Sequence, residues 1–266
     1  MRSSNALKVT GGALSLALLA TGPAALAQEE GEDQRPRRTR IALGPQLVPS
    51  FPGSKTLNVR PLFDIDRARG DDPFPFEAPD EGSGPILVRG NGWQLGPALG
   101  FEGKRSRKET DGLLPKVGIT VELGGFAQVQ VTPALRLRTE VRQGIGGHKG
   151  LIGVVSADYI ARDGDQWLFS IGPRVTLAND RYHRAYFGID PAVAASSGLP
   201  AYRADGGLQA VGAATGVLYQ VSPRWGLYSY ARYDRLVADP ARSPVVRAFG
   251  TRNQLSGGVA LSFTFR

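Results

Sequence analysis

Asn253-Gln254-Leu255-Ser256-Gly257-Gly258-Val259-Ala260-Leu261-Ser262-Phe263-Thr264-Phe265 decides the fold. Every second residue, Leu255, Gly257, Val259, Leu261, Phe263 and Phe265, makes one greasy face that ends in aromatics. The residues between them are small or polar. A period of two held this long describes a strand with a different solvent on each face. The strands of a soluble sheet are mostly about 5–6 residues long. A strand crossing a bilayer at a tilt needs about 9–11. An edge strand of a soluble sandwich could also look like this, so the other strands have to decide.

They repeat the pattern. Leu135, Leu137, Thr139 and Val141 interleave with Arg136, Arg138, Glu140 and Arg142. One face is apolar, and the other carries charges that need water or partners. Repeated over many long strands, this implies an apolar exterior and a polar interior. Working back from the last strand, the periodicity predicts strands near 253–265, 224–237, 207–221, 166–178, 150–161 and 135–145. Others follow near 117–131, 93–104, 85–89, 73–78, 56–66 and 40–49. Thr132-Pro133, Asp163-Gly164-Asp165 and Ser222-Pro223 are short turns at one end. Asn179–Gly206 and Ala238–Arg252 are longer loops at the other, with the short link Gly146–Gly150 as the exception. The expected fold is therefore all-β: a transmembrane antiparallel up-and-down β-barrel, most simply of twelve strands, of the kind found in bacterial outer membranes. Ten or fourteen strands stay open because 67–92 reads poorly.

Residues 1–27 read as a removable export signal. Arg2 and Lys8 precede an apolar run at Ala13–Ala20, and Ala25-Leu26-Ala27 offers a small-x-small cleavage site. Residues 28–38 read as a flexible periplasmic leader, and 39–266 as the barrel. The 32 Lys and Arg less Arg2 and Lys8 leave 30 against 24 Asp and Glu. That basic excess is spread among apolar residues instead of clustered, and an exported chain has little access to nucleic acid, so no nucleic-acid partner is expected. The absence of cysteine excludes disulfides, thiolate metal sites and cysteine nucleophiles. The two histidines, His148 and His183, fall in loops and lack metal-ligand spacing. Asp180 three residues before His183 is a weak hint of rim chemistry. The reading is a non-enzyme with no catalytic residues, cofactor or metal.

The predicted interior face carries Arg60, Glu102, Glu122, Arg136, Arg138, Glu140, Arg142, Asp158, Arg174, Arg232 and Asp234. Six are basic and five acidic, which suggests pairing across a narrow or occluded lumen. Trp93, Trp167 and Trp225 each open a strand after a short turn, at the level of Phe263 and Phe265. Phe63, Tyr159 and Tyr219 fall at the same height. Together they form the aromatic belt expected at a membrane–water boundary, here the periplasmic one. Outer-membrane lipid and lipopolysaccharide are the expected surroundings.

Ile171-Gly172-Pro173-Arg174-Val175-Thr176-Leu177-Ala178-Asn179-Asp180-Arg181-Tyr182 carries a resemblance, as do Tyr186-Phe187-Gly188-Ile189 and Ser197-Gly198-Leu199-Pro200-Ala201-Tyr202. With Pro52-Gly53-Ser54 and Arg252-Asn253-Gln254, these resemble the MltA-interacting protein family, also called MipA/OmpV. The resemblance spans nearly the whole mature chain and is sharpest over 171–202; Arg266 departs from the family's usual aromatic terminus. It implies an outer-membrane barrel that acts as a non-catalytic scaffold, linking a murein-degrading lytic transglycosylase to a penicillin-binding protein. A narrow solute-uptake channel is the alternative that the polar lumen supports.

Overall fold

The computed structural model describes residues 35–265; the proposed export signal and most of the leader lie outside them. Eleven strands form one antiparallel sheet. They are β1 (Arg37–Pro49), β2 (Leu57–Arg69), β3 (Val88–Arg89), β4 (Trp93–Glu102), β5 (Thr120–Thr132) and β6 (Leu135–Gly146), followed by β7 (Leu151–Asp163), β8 (Trp167–Ala178), β9 (Gly207–Gln220), β10 (Trp225–Leu236) and β11 (Asn253–Phe265). β1 starts two residues inside the stretch expected as leader. In the sheet β11 lies between β10 and β1, so the last strand joins the two ends of the chain. The two edges of the sheet are β2 and β3.

The alternation is inverted relative to a water-soluble sheet. On β11, Leu255, Val259, Leu261 and Phe265 are exposed, whereas Gln254, Ala260, Ser262 and Thr264 are buried. The same holds on β6, where Leu137 and Val141 are exposed and Arg136, Arg138 and Glu140 are buried. A band of outward Leu, Val, Ile and aromatic side chains this broad suits hydrocarbon, not water.

Residues 67–92 depart from the expectation of two strands. The segment 73–78 is not a strand, and of 85–89 only Val88–Arg89 pairs, with Leu95 and Gln94 of β4. Twelve strands thus become ten long ones and a stub. The reason lies in what the segment touches. The backbone N–H of Phe74 donates to Asp165 in the β7–β8 turn (2.9 Å), and the Arg40 guanidinium of β1 lies over its ring. Asp80 meets Arg174 of β8 and Arg232 of β10, the Gly82 N–H donates to Glu140 of β6, and Ser83 bridges Leu99 of β4. One segment thus meets the inward face of β1, β4, β6, β8 and β10. It leaves the short-turn end, crosses that face and ends as the outermost partner of β4.

The long-loop end is capped. Asn179–Gly206 contributes helices α1 (Asp180–Phe187) and α2 (Pro191–Ser197); 237–252 contributes α3 (Ala238–Arg242) and α4 (Pro244–Phe249). Local chemistry starts and stops them. The Asn179 side chain accepts from the Tyr182 N–H and the Ser243 hydroxyl from the Val245 N–H, prolines open α2 and α4, and Gly198 closes α2 at φ +71°. Tyr182, Tyr186 and Phe187 of α1 are fully buried against Phe51, Ile152, Leu236 and Val246. The Asn179–Gly206 loop therefore folds inward over that end of the sheet.

Candidate functional site

The interior is held by a continuous ion-pair network. Arg174, 1 % exposed, reaches Asp80 through Nε (2.7 Å) and Nη2 (3.0 Å) and Asp158 through Nη2 (2.8 Å). Arg232 donates to Asp80 (2.9 Å) and Asp234 (2.6 Å). Arg136 pairs with Glu81 and with Asp158 (2.8 Å), and its guanidinium covers the Phe76 ring at 4.4 Å. Arg138 bonds Glu140 (2.6 Å) and stacks on Phe126 at 3.7 Å. Arg142 bridges Glu122 (2.8 Å) and Glu140. Alternating strands project these groups inward two residues apart, so each cation faces an acid on a neighbour or on the crossing segment. Within the network each charge neutralises another.

Of the residues expected to line an interior, Glu122, Arg136, Arg138, Glu140, Asp158 and Arg174 are buried, and Arg60, Glu102, Arg142, Arg232 and Asp234 are half-buried. Arg60 and Glu102 stand apart from the ion pairs, near the capped end. Arg60 donates to the Ser50 carbonyl (3.3 Å), and Glu102 accepts from the Gly103 N–H (2.7 Å) and the Tyr182 hydroxyl (3.5 Å). Two central acids escaped sequence reading. Asp80 and Glu81 read as part of a turn, yet they anchor the network. The available signal was an eighteen-residue connection, 70–87, on the side where the other turns are two to four residues long. A connection that long calls for a function or a packed path.

The histidines brace the cap. His148 Nδ1 accepts from the Gly150 N–H (3.0 Å), so Nε2 carries the proton and donates to Glu122 (2.9 Å). Its ring meets Tyr182 edge-on at 4.6 Å. His183 Nδ1 donates to the Asp205 carbonyl (2.5 Å), and burial pulls its pKa below the ordinary histidine value. Asp180, the hinted partner of His183, pairs with Arg184 instead. Burial also brings the Arg105 pKa down to about 10, while its guanidinium donates to the Tyr186 and Pro115 carbonyls. At the short-turn end, Asp64, Asp66 and Glu77 bring carboxylate oxygens within 4.8 Å of one another, with Arg40 bonded to Asp66 (3.0 Å) as counter-charge.

Between the crossing segment and the cap lies a chamber of about 580 Å³. Arg60, Glu102, Arg142, Thr176, Arg232 and Asp234 are among its lining residues, with Pro79–Ser83 as its floor and Gly53, Tyr182 and Leu236 toward its roof.

Outside, Trp93, Trp167, Trp225 and Phe265 are exposed and Phe263 is half-buried. Trp225 sits opposite Phe263 in register, with ring centroids 4.7 Å apart, and Phe265 follows at 4.8 Å. Trp167 pairs with Tyr219, and that row continues through Leu227, Leu261 and Leu43 to Phe63.

The family model described as MltA-interacting protein MipA matches residues 41–265. No curated protein matches the chain. Among solved structures, a NanC porin shares 10 % identity at a TM-score of 0.42, covering 85 % of this chain and 98 % of its own. The COG4313 outer membrane channel from Pseudomonas putida F1 shares 10 % at 0.43, covering 88 % and 98 %. The N-terminal β-barrel domain of Pseudomonas aeruginosa OprF shares 13 % at 0.29, covering 66 % and 100 %.

Proposed function

The chain belongs to the MltA-interacting protein MipA family, and from that premise we propose that it is a closed outer-membrane barrel acting as a non-catalytic scaffold for murein-remodelling enzymes. On this reading residues 1–27 direct export, and the apolar outer face meets lipid and lipopolysaccharide. Trp93, Trp167, Trp225, Phe263 and Phe265 mark the periplasmic boundary, so the short turns and the entry of the crossing segment face the periplasm. The observation that carries the reading is the filled interior: Asp80 and Glu81 fasten a segment of the chain across the lumen, and α1 packs over the other end. A protein built to pass solutes keeps its polar groups available to them; here they are spent on each other. The family's description supplies the partner class, a lytic transglycosylase, with a penicillin-binding protein as the second client.

The test is retention. Refolded mature protein is immobilised and exposed to a periplasmic and membrane extract of its own host. Recovery of a lytic transglycosylase or a penicillin-binding protein, lost when the short turns at 132–134, 164–166 and 221–224 are replaced, is the expected result. An empty column, under conditions where a known murein-enzyme pair survives, overturns the scaffold. The polar chamber would then favour the narrow uptake channel, and a steady conductance in planar bilayers would establish it.

A further inference from the structure

The chamber is not closed on all sides. Around most of its wall the strand residues that line it point inward: Gln46 of β1, Val154 of β7, Thr176 of β8, Asp234 of β10, Ser256 of β11. Side chains of outward register join the lining at β2 and β4. They are Pro61 on β2 and Leu99 and Phe101 on β4, all on the exposed apolar face, Phe101 at 68 %. The interruption in the sheet lies between β2 and the 83–90 segment that covers the far side of β4 as far as Leu99; beyond Leu99 β4 itself faces β2, and no ladder joins β2 to β4 among the described residues. The chamber therefore reaches the outer surface through the wall. Beyond the opening the two strands touch again: a side chain on Gly103 would collide with Arg60 and the Ser50 carbonyl.

The polar equipment at this opening is incomplete. Of the arginines lining the chamber, Arg142 and Arg232 have carboxylate partners, and Arg60 has none within 4.0 Å among the described residues. Its single hydrogen bond, at 3.3 Å, leaves most of a five-donor fork unused. Deeper in, the Thr176 hydroxyl, on a residue 4 % exposed, is buried without a hydrogen-bond partner. Buried polar atoms of this kind are normally satisfied. The acids are committed: Asp80 and Asp234 to Arg232, Glu81 to Arg136, Glu102 to Gly103 and Tyr182. Outside, Val59 (71 % exposed), Leu99 and Phe101 border the opening with apolar surface.

We propose that the gap between β2 and β4 is a lateral binding site for an acyl-chain amphiphile, whose anionic head, a carboxylate or a phosphate, enters the chamber to engage Arg60 while its chain lies against Val59 and Phe101. An amphiphile fits because the site joins a polar chamber to an apolar face within one side-chain length. A water-soluble anion would have to pass the cap or the crossing segment, whereas a membrane-dissolved one arrives sideways. In hydrocarbon the unpaired backbone of the β2 edge, and of β4 beyond its Leu99–Ser83 bridge, also requires polar partners, which a head group can provide.

Native mass spectrometry from a neutral detergent tests this on the refolded mature protein, with oleate, lysophosphatidylethanolamine and monoolein as probes. One-to-one adducts with either anionic probe, and markedly weaker ones with monoolein, are expected; which of the two binds more tightly assigns the head to carboxylate or phosphate. Losing a hydrogen bond to a charged group costs about tenfold or more in affinity, so Arg60→Gln should weaken the adduct by at least that, and Arg60→Lys should retain most of it. Arg60 is half-buried and makes one long hydrogen bond, so both variants should fold, which heat-modified gel migration checks. The proposal is overturned by the absence of saturable adducts with both anionic probes, by monoolein binding as tightly, or by unchanged binding in Arg60→Gln. None of these outcomes depends on the murein-enzyme test.

Discussion

Asp80→Asn is the sharpest perturbation of the interior. The carboxylate is 4 % exposed at its side chain and accepts three hydrogen bonds, two from Arg174 and one from Arg232. An amide keeps one acceptor oxygen, turns an NH₂ donor toward a guanidinium, and removes the charge on which both arginines converge. Removing one partner of a buried pair typically costs about 3–5 kcal/mol. Asp158 still holds Arg174 and Asp234 still holds Arg232, so the low end of that range is expected here. At roughly 2–4 °C per kcal/mol for a chain of this size, the unfolding midpoint should fall by about 6–12 °C. Glu81, Gly82 and Phe74 keep the segment attached, so the single variant should conduct no more than the parent. Asp80→Asn with Glu81→Gln removes both anchors and should give intermittent channels in planar bilayers. The assay is gel-shift melting of the folded band beside single-channel recording. A midpoint unchanged in Asp80→Asn, or a double variant as silent as the parent, would refute the idea that these pairs hold the lumen shut.

Three further outcomes follow from the cap and the wall. Tyr182→Ala deletes a fully buried ring in contact with His148 and Tyr186, so a loss of about 3–5 kcal/mol in the stability of the cap is expected; limited proteolysis should then cut within 179–206 while the strands stay intact. Burial depresses the His183 pKa, so the folded cap favours the neutral ring. The sign follows: that stability is present above the unfolded pKa of about 6.5 and is lost as pH falls through it toward the folded value. Hydrogen exchange of α1, corrected for intrinsic rates, should rise between pH 7.5 and 5.5 and flatten in His183→Asn. Gly172 on β8 sits against the Ala157 carbonyl of β7 so closely that a methyl group would overlap it; Gly172→Ala should refold with much lower yield, and a yield equal to wild type would mean the strands can separate there without cost.

What the sequence revealed followed from one physical contrast. Wherever a strand has lipid on one side and charge on the other, alternation is obligatory, and Leu255 to Phe265 or Leu135 to Val141 could be read residue by residue. The inner face was legible for the same reason, down to the near-balance of Arg136, Arg138 and Glu140 with their neighbours. Residues 73–87 were not, because a segment crossing an interior has protein on every side and so no periodicity. Its partners, Arg174 and Arg232, lie 94 and 152 positions away from Asp80. Pro73, Pro75, Pro79 and Pro85 suit such a path, since each removes a donor that the lumen would otherwise have to satisfy. The cap helices were hidden for another reason. At five to eight residues they are too short to show a 3.6 period, and only their ends, Asn179, Pro191, Gly198, Ser243 and Pro244, carried a sign of them.

The crossing segment also explains how ten long strands enclose a stable interior. Eight strands leave room that side chains can fill, and about sixteen leave a water channel. Ten leave a gap too wide for the inward residues of facing strands to meet, yet too narrow to hydrate eleven charges well. An apolar filling would leave Arg136 and Arg174 sharing Asp158 alone. A segment carrying Asp80 and Glu81 supplies acids where two or three arginines converge, and Phe74 and Phe76 give the guanidinium faces of Arg40 and Arg136 something to lie on. Since each anchor comes from a different strand, losing the segment would unbalance β6, β8 and β10 together. The interior is thereby one cooperative unit, in which Asp80 and Glu81 tie β6, β8 and β10 to each other through the segment.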